Sequence, residues 1–523
     1  MKNDVKYFVL LCAFVSLWFN SFSQQKPPVL KADNFKHYVD YFNKMEDENI
    51  KQAIPNDSAW PWMKKNIPLF ECPQQNFEEM FYYRWWTLRK HIKKTDQGFV
   101  FTEFLVQRSY ADKYNLISSA LGHHIYESRW LHDKKYMDDN LHIWYRGNNG
   151  KPMSKLRFYS GWNADAILSR YAVNFDKKFV LDLLPDLEAD YAEWEKEKKG
   201  IKDLYWQYDV RDAMEETISG GRKEKNARPS INSYMYGNAH ALANLYILKT
   251  GSLKSEKSTY YFDKARDIRY RTLSFLYDFE GNFFQVRKEQ GDTLANVKEQ
   301  IGFLPWYFNM FSDRDEDTVF FPAWKWLIDT KTFNAPFGIT TADRSHPQFR
   351  THGCCNCEWD GAVWPFATSQ TLTAMANVLT QHKQNYVTDS NYFDLLETYV
   401  ESQYYRGRPY IGEYLDETTG YWLKGDQERS RYYNHSTFND LIITGLVGFK
   451  PNIDDDRFIV NPLLPDNKWD WFCLDNVLYH GRIVTIIWDK DGTKYKRGKG
   501  LSVWVNGKKV ASSLNLEKVT VKL

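Results

Sequence analysis

The chain has 523 residues, with 69 Lys and Arg against 67 Asp and Glu, a formal charge of +2. That balance excludes the strongly basic face on which nucleic-acid binding depends, and the length admits one large core with a small second domain. Aromatic residues make up 17% of the chain, with 20 Trp and 35 Tyr; in an exported protein such rings also offer flat apolar faces to sugars.

The N-terminus reads as a secretory signal over residues 1–23. Lys2 and Lys6 flank the start of an apolar run from Tyr7 to Phe19, and Asn20-Ser21-Phe22-Ser23 supplies small residues for cleavage near Ser23. The run is shorter than the ~20 residues a membrane span requires. Cys12 sits inside the run, which argues against a lipid anchor there. A secreted or periplasmic product without a membrane span is therefore expected, and loss of Lys2, Asp4 and Lys6 takes its formal charge to +1. Residues 24–32, with Pro27-Pro28, read as a linker.

Cys72, Cys354, Cys355, Cys357 and Cys473 remain, and an odd number leaves at least one thiol unpaired. The Cys354-Cys355-Asn356-Cys357 cluster lacks the complementary ligand pair of a structural zinc site. No metal and no cofactor is expected; a disulfide from the cluster and free buried thiols both stay open.

From residue 33 to about 450 the apolar residues recur with helical period. The clearest segments are Asn76–Lys94, Lys113–Met137, Ala164–Tyr171, Lys177–Lys198, Ser233–Leu248, Tyr260–Tyr277, Trp364–Gln381, Ser390–Tyr405 and Thr437–Val447. Lys177–Lys198 carries one charged face, as an outer helix should. Ser233–Leu248, with Ala239, Ala241, Leu242, Ala243 and Leu245, is mostly apolar, as an inner helix should be. Paired antiparallel helices of this kind predict a mainly α chain folded as an (α/α)6 toroid. After Pro451 the pattern changes to short β-rich runs: Phe458–Leu464, Val477–Tyr479, Ile483–Trp488, Gly500–Val505 and Lys508–Ala511. Asp491-Gly492 and Asn506-Gly507 mark hairpins, and residues 451–523 are expected to form a small antiparallel sheet domain.

Three regions gather aromatics, carboxylates and glycines where helices begin or end. In the first, Phe158–Ile167, Trp162 and Asp165 suit stacking on a sugar and binding its hydroxyls, although Asp165 equally suits a helix N-terminus. In the second, Leu204–Arg222, the acids Asp209, Asp212, Glu215 and Glu216 lie among Trp206, Tyr208 and Arg211. A carboxyl desolvated among aromatics keeps its proton near neutrality, which a general acid requires. In the third, Trp359-Asp360-Gly361 and Trp364-Pro365 open a helix, and Glu413 follows between Tyr410 and Tyr414. A second carboxylate, distant in sequence, supplies the base that activates water in inverting hydrolysis.

Trp162 with Asp165, Ala213-Met214-Glu215, the Trp359-Asp360-Gly361…Trp364-Pro365 loop and Glu413-Tyr414 occur in an order that resembles the toroidal glycoside hydrolases. That group holds trehalase, the processing α-glucosidases and the mannosylglycerate hydrolase-like proteins. The resemblance implies an (α/α)6 toroid, an inverting mechanism and an oligosaccharide substrate. It places the general acid, commonly Asp in that group, on Glu215 and the general base on Glu413, with Asp209, Asp212 and Glu216 as alternative acids. Trp162, Trp206, Trp359 and Trp364 are expected to line the pocket, with Asp165, Arg211 and Asp360 beside them. Glu215 is expected to be the more buried of the two acids and Glu413 the one that water reaches.

Two rival readings stand beside hydrolysis. An eliminating enzyme, a lyase or dehydratase acting across C4–C5 of a uronic acid, needs a His or Tyr base and a cation. Arg429–Ser436, with Arg431 and His435, offers both. A non-catalytic glycan-binding protein is the other.

Overall fold

The computed structural model describes residues 29–311, 315–353, 357–453 and 457–523. The expected signal over 1–23, most of the linker, and Cys354 and Cys355 of the cysteine cluster lie outside the described residues. Among the described residues no helix is long and apolar enough to cross a membrane.

Six outer–inner helical pairs make an (α/α)6 toroid among the described residues. Outer Gln75–Lys90 leads to inner Leu121–Ser128, Lys135–Arg146 to Asn163–Asn174, and Lys177–Lys198 to Pro229–Thr250. Glu256–Phe275 then leads to the single turn Leu304–Tyr307, Trp324–Ile328 to Pro365–Gln381, and Asp389–Ser402 to the π-helical turn Leu441–Leu446. Each inner element packs on the next around the ring. The ring closes where Glu127, in the first inner helix, accepts backbone hydrogen bonds from Phe438, Asn439 and Asp440.

The two helix classes follow from their sequences. Lys177–Lys198 buries Val180, Leu183, Leu184, Leu187, Tyr191 and Trp194, a stripe at spacings of three and four residues. Its N-cap Asp176 accepts from the Phe179 amide at 3.1 Å, and Lys196 and Lys198 complement the carbonyl end. Pro229–Thr250 is buried nearly all round from Pro229 to Ala243, so it has no solvent face. Pro229 starts it, where a missing N–H costs nothing, and Gly251 at φ 70° ends it. Burial of one Leu such as Leu242 is worth about 1.5–3 kcal/mol over leaving it exposed.

Two expected helices come out differently. Lys113–Met137 is broken into two 3₁₀ turns, Lys113–Asn115 and Ser118–Ala120, followed by Leu121–Ser128. Tyr114 and Asn115 take φ of 66° and 69°, which no α-helix accommodates. Thr437–Val447 shortens to the π-turn. The sheet also differs from one drawn wholly from residues 451–523. Trp471–Tyr479, Arg482–Asp489, Gly500–Val505 and Lys508–Ser513 form an antiparallel meander, but Leu69–Glu71 from far upstream pairs with Trp471–Tyr479 as its edge. Phe449–Lys450 joins Arg457–Val460 and Val519–Lys522 in a second sheet. Asn506 and Gly507, at φ 48° and 74°, make the expected two-residue hairpin turn. Asp491-Gly492 lies instead inside a longer loop, where Asp491 accepts from the Thr493 amide at 3.0 Å.

The strand block docks at the end of the ring where the inner helix Asn163–Asn174 finishes. There the His480 amide donates to the Val173 carbonyl at 3.1 Å, and Trp130 packs on Phe449 at 5.6 Å between ring centroids. The opposite end, where the inner helices start, is left to the long outer-to-inner connections.

Candidate active site

Those connections surround a cavity of about 250 Å³. Ile117 and Ser119 come from just before the first inner helix, Tyr159 from before the second, and Ala213 and Glu215 from before the third. Trp359, Trp364 and Phe366 come from the start of the fifth; Glu413, Arg429, Tyr433 and His435 come from the connection to the sixth. Each wall thus hangs on a rigid helix start, while the chemistry sits on the loops.

Glu215 is half-buried in this wall, between Ala213 at φ 61° and Glu216 at φ 68°. Non-glycine residues rarely take such values, and two so close together show backbone held in a strained path. Asp212 anchors that path: it pairs with Arg228 at 2.8 Å, both side chains fully buried, and accepts a hydrogen bond from Ser230. Burial, with the nearby charges of Glu413 and Asp209 adding to it, pushes the Glu215 carboxyl up to about 7. Among the described residues no cation lies within 4.0 Å of it. The alternative acids are otherwise engaged: Asp212 in its ion pair, Glu216 with Arg222 at 2.7 Å, and Asp209 with the Val210 amide at 2.5 Å. Of these four, Glu215 alone lines the cavity.

Glu413 occupies a different environment. Lys424 Nζ lies 3.2 Å and Arg429 a guanidinium nitrogen 3.6 Å from its Oε2. The Cys357 thiol sits 3.9 Å from Oε1 and the Lys424 ammonium 3.4 Å from the same sulfur. Burial, reinforced by the charges of Glu413 and Glu215, pushes that thiol up to about 12. Glu413 is only 5% exposed while Glu215 is half-buried. The expected order of burial is therefore reversed, because Glu413 is sunk behind its two cations. His435 Nε2 donates to the Glu413 carbonyl at 3.2 Å; burial holds this imidazole well below its usual range, hence neutral.

A third carboxyl shares the cavity. Glu103 accepts from Ser119 Oγ and from the Tyr433 hydroxyl, both at 2.7 Å. Burial, offset in part by those bonds and increased by Glu413 and Glu215, pushes it up to about 7. Sequence reasoning missed it, along with Tyr110, Tyr159 and Lys424. The usable signal was an acid inside the apolar run Phe99–Leu105, since a carboxyl is rarely sunk there without a purpose.

Trp359 and Trp364 do line the cavity. They stack at 4.5 Å, and Trp364 stacks on Tyr414 at 4.6 Å. Both rings are buried, and neither indole N–H finds an acceptor among the described residues. Six other expected ligands stand elsewhere. Trp162 is 0% exposed, wedged among His123, Tyr234 and Phe366; its position at a helix start turned it into the core. Asp165, accepting from the Tyr126 hydroxyl at 2.8 Å, faces a separate cavity at the other end of the ring. Asp360 is fully buried and tethers its own loop by accepting from the His352 amide at 3.0 Å. Arg431 turns away to line a small crevice with Glu46 and Tyr432. Trp206 and Arg211 are not in the cavity wall either; they lie outside it, beside Tyr208 and Phe158 respectively.

The sequence model of the mannosylglycerate hydrolase MGH1-like glycoside hydrolase domain matches residues 113–436. The chain belongs to this glycoside hydrolase family. The match spans the cavity wall from Ile117 to His435 and leaves Glu103 outside it. The C-terminal domain model of glycosyl hydrolase family 65 matches residues 452–512, the strand block. A solved structure named sialidase is 58% identical, with a TM-score of 0.91 over 94% of this chain. This chain corresponds to 45% of that one, so it spans less than half of that relative's length. The GH63 mannosylglycerate hydrolase of Thermus thermophilus, in complex with glucose, superposes with a TM-score of 0.50 at 12% identity. That alignment covers 70% of this chain and 99% of the other. The GH78 rhamnosidase of Bacillus sp. GL1 gives 0.56 at 9% identity, over 82% of this chain and 41% of its own. At such identities the last two speak for the toroidal fold.

Proposed function

We propose that the chain hydrolyses a glycosidic bond of an oligosaccharide with inversion, Glu215 acting as general acid and Glu413 as general base. The carrying observation is that two carboxyls in one cavity have opposite surroundings. Glu215 lacks a cation and keeps its proton to about pH 7, while Glu413 has Lys424 and Arg429 beside it. Paired carboxyls whose environments push them apart are the arrangement that divides acid from base.

In the proposed reaction the sugar ring lies beside Trp359, the outer member of the Trp359–Trp364–Tyr414 stack. Glu215 gives its proton to the departing glycosidic oxygen as the C1–O bond breaks. Water attacks C1 from the opposite face and loses a proton to Glu413. The sugar leaves with inverted anomeric configuration, and Glu215 regains a proton from Glu413 through solvent. Of the segment on which the eliminating reading rests, Arg431 sits outside the cavity while Arg429 and His435 line it; the unlike surroundings of the two carboxyls favour hydrolysis. Export by the segment Met1–Ser23 and a role in polysaccharide breakdown belong to the same proposal.

Proton NMR of the first-formed anomer tests the mechanism directly. A product of inverted configuration supports it, whereas retention, or the ultraviolet absorbance of an unsaturated uronate, overturns it. Mass spectrometry of the N-terminus after expression with export tests cleavage near Ser23.

A further inference from the structure

Outside the cavity, on the side of Glu215, three cations lie close together without a carboxylate ion pair among the described residues. Lys198 Nζ sits 4.2 Å from the Trp206 ring centroid, and Lys225 Nζ sits 5.0 Å from the same centroid. The Arg211 guanidinium carbon sits 3.3 Å from the centroid of Phe158. Among the described residues no carboxylate comes within 4.0 Å of any of the three. Lys198 donates only to the neutral Gln207 amide oxygen, at 3.3 Å, and the Arg211 guanidinium has no protein acceptor among the described residues. Burial lowers the Lys198 ammonium below its usual range; Glu197 opposes that, and the charges of Arg211 and Lys225 add to it.

Aromatic faces therefore hold these cations where a carboxylate would otherwise neutralise them. A cation over a ring gains roughly 0.5–2 kcal/mol and keeps its N–H donors for another partner. The scaffold beneath is firm. Trp206-Gln207 pairs with Asn226-Ala227 as a two-stranded ribbon, and the Ser160 amide donates to the Arg211 carbonyl at 2.9 Å. That contact joins the ridge to the cavity, since Tyr159 lines the cavity and packs on Phe158 at 4.9 Å. Arg211 also precedes Glu215 by four residues.

We propose that Lys198, Arg211 and Lys225 form a subsite for the acidic groups, carboxylate or sulfate, of the glycan on the leaving-group side of the scissile bond. The assignment of side rests on the reading of Glu215 as the acid, because the leaving oxygen must lie next to the group that protonates it. The substrate is then a glycan whose cleaved residue enters the cavity and whose remainder is anionic.

Calorimetric titration of the full chain tests this with three hexasaccharides: a neutral gluco-oligosaccharide, an oligogalacturonate and a sulfated heparin fragment. The acidic probes should bind at least about tenfold more tightly than the neutral one at low salt, and that advantage should shrink as added salt screens the exposed charges. Lys198→Met with Lys225→Met keeps the apolar stems and should remove most of the advantage, with the melting temperature unchanged. A stronger response to one acidic probe identifies carboxylate or sulfate as the group read. Equal affinity for all three probes, or an acidic preference untouched by the double substitution, overturns the subsite. Glu215→Gln should leave the acidic preference in place. If that variant still hydrolyses substrate, the acid assignment fails and with it the leaving-group side, while the binding data still decide whether the cations bind anions.

Discussion

At one end of the toroid the outer-to-inner connections enclose about 250 Å³ around Glu103, Glu215 and Glu413. At the other, beneath the strand block, a cavity of about 470 Å³ is bordered by Asp165, Asp440, Arg129, His240, Asn377 and Lys450. In the larger space the two acids have side-chain donors. Arg129 Nε and the Trp130 indole donate to Asp440 at 2.9 and 2.7 Å, and Tyr126 donates to Asp165. In the smaller space no side chain among the described residues donates to Glu215. Volume alone does not mark where chemistry happens; two carboxyls in unlike surroundings on one wall do.

The sharpest way to break this contrast is to neutralise an acid at each end. Glu215→Gln and Glu413→Gln should each lower kcat by at least ~10² while substrate still binds, and Asp165→Asn should leave kcat nearly unchanged. A steady-state comparison in which Asp165→Asn is the crippled variant would falsify the assignment of ends. Asp440→Asn should instead act on stability. It leaves Arg129 buried without its counter-charge, a loss of about 3–5 kcal/mol, read as a lowered melting temperature with kcat per folded molecule preserved.

A pH profile sharpens the comparison further. Glu215 must carry its proton to act, and its folded value of about 7 places the loss of activity on the alkaline side. Above that value kcat/KM should fall about tenfold per pH unit. Glu103 also titrates near 7, so Glu103→Gln is the control: the alkaline limb should survive in it. Disappearance of the limb would make Glu103 the acid. The smallest expected effect concerns Gly122, whose added Cβ would lie 2.2 Å from Trp162 Cε2. Gly122→Ala should cost about 1–3 kcal/mol by overpacking, with no change in KM, since Trp162 faces the core and not the sugar.

The fold was legible because it is written in period. Lys177–Lys198 begins and ends where its charged face and apolar stripe say it should, and Asn506-Gly507 forms the turn its φ preferences dictate. The site was only partly legible. Glu215, Glu413, Trp359, Trp364 and His435 come together because each lies in a connection leading to an inner element, visible in the sequence as a motif ahead of a helix. Trp162 occupies the same kind of position yet faces inward, and no local pattern separates it from Trp364. Glu103 was hidden because its meaning depends on Ser119 and Tyr433, the second of them more than 300 residues away. Asp360 and Arg431 misled for the converse reason: their residue types suit a sugar, but Asp360 tethers its own loop and Arg431 turns to a separate crevice.

The edge strand Leu69–Glu71 bears on how the chain comes together in time. Its hydrogen-bonding partner, Trp471–Tyr479, leaves the ribosome some four hundred residues later, and the ring closes only when Phe438–Asp440 reaches Glu127. Until then Leu69 and Phe70, both buried in the finished protein, stand on an unpaired edge of the kind that recruits other chains. Assembly is thus gated by the C-terminal block, and contacts of such long sequence separation make for slow folding. Expression of residues 29–440 alone should give aggregate, while supplying 441–523 as a separate polypeptide during refolding should rescue part of it.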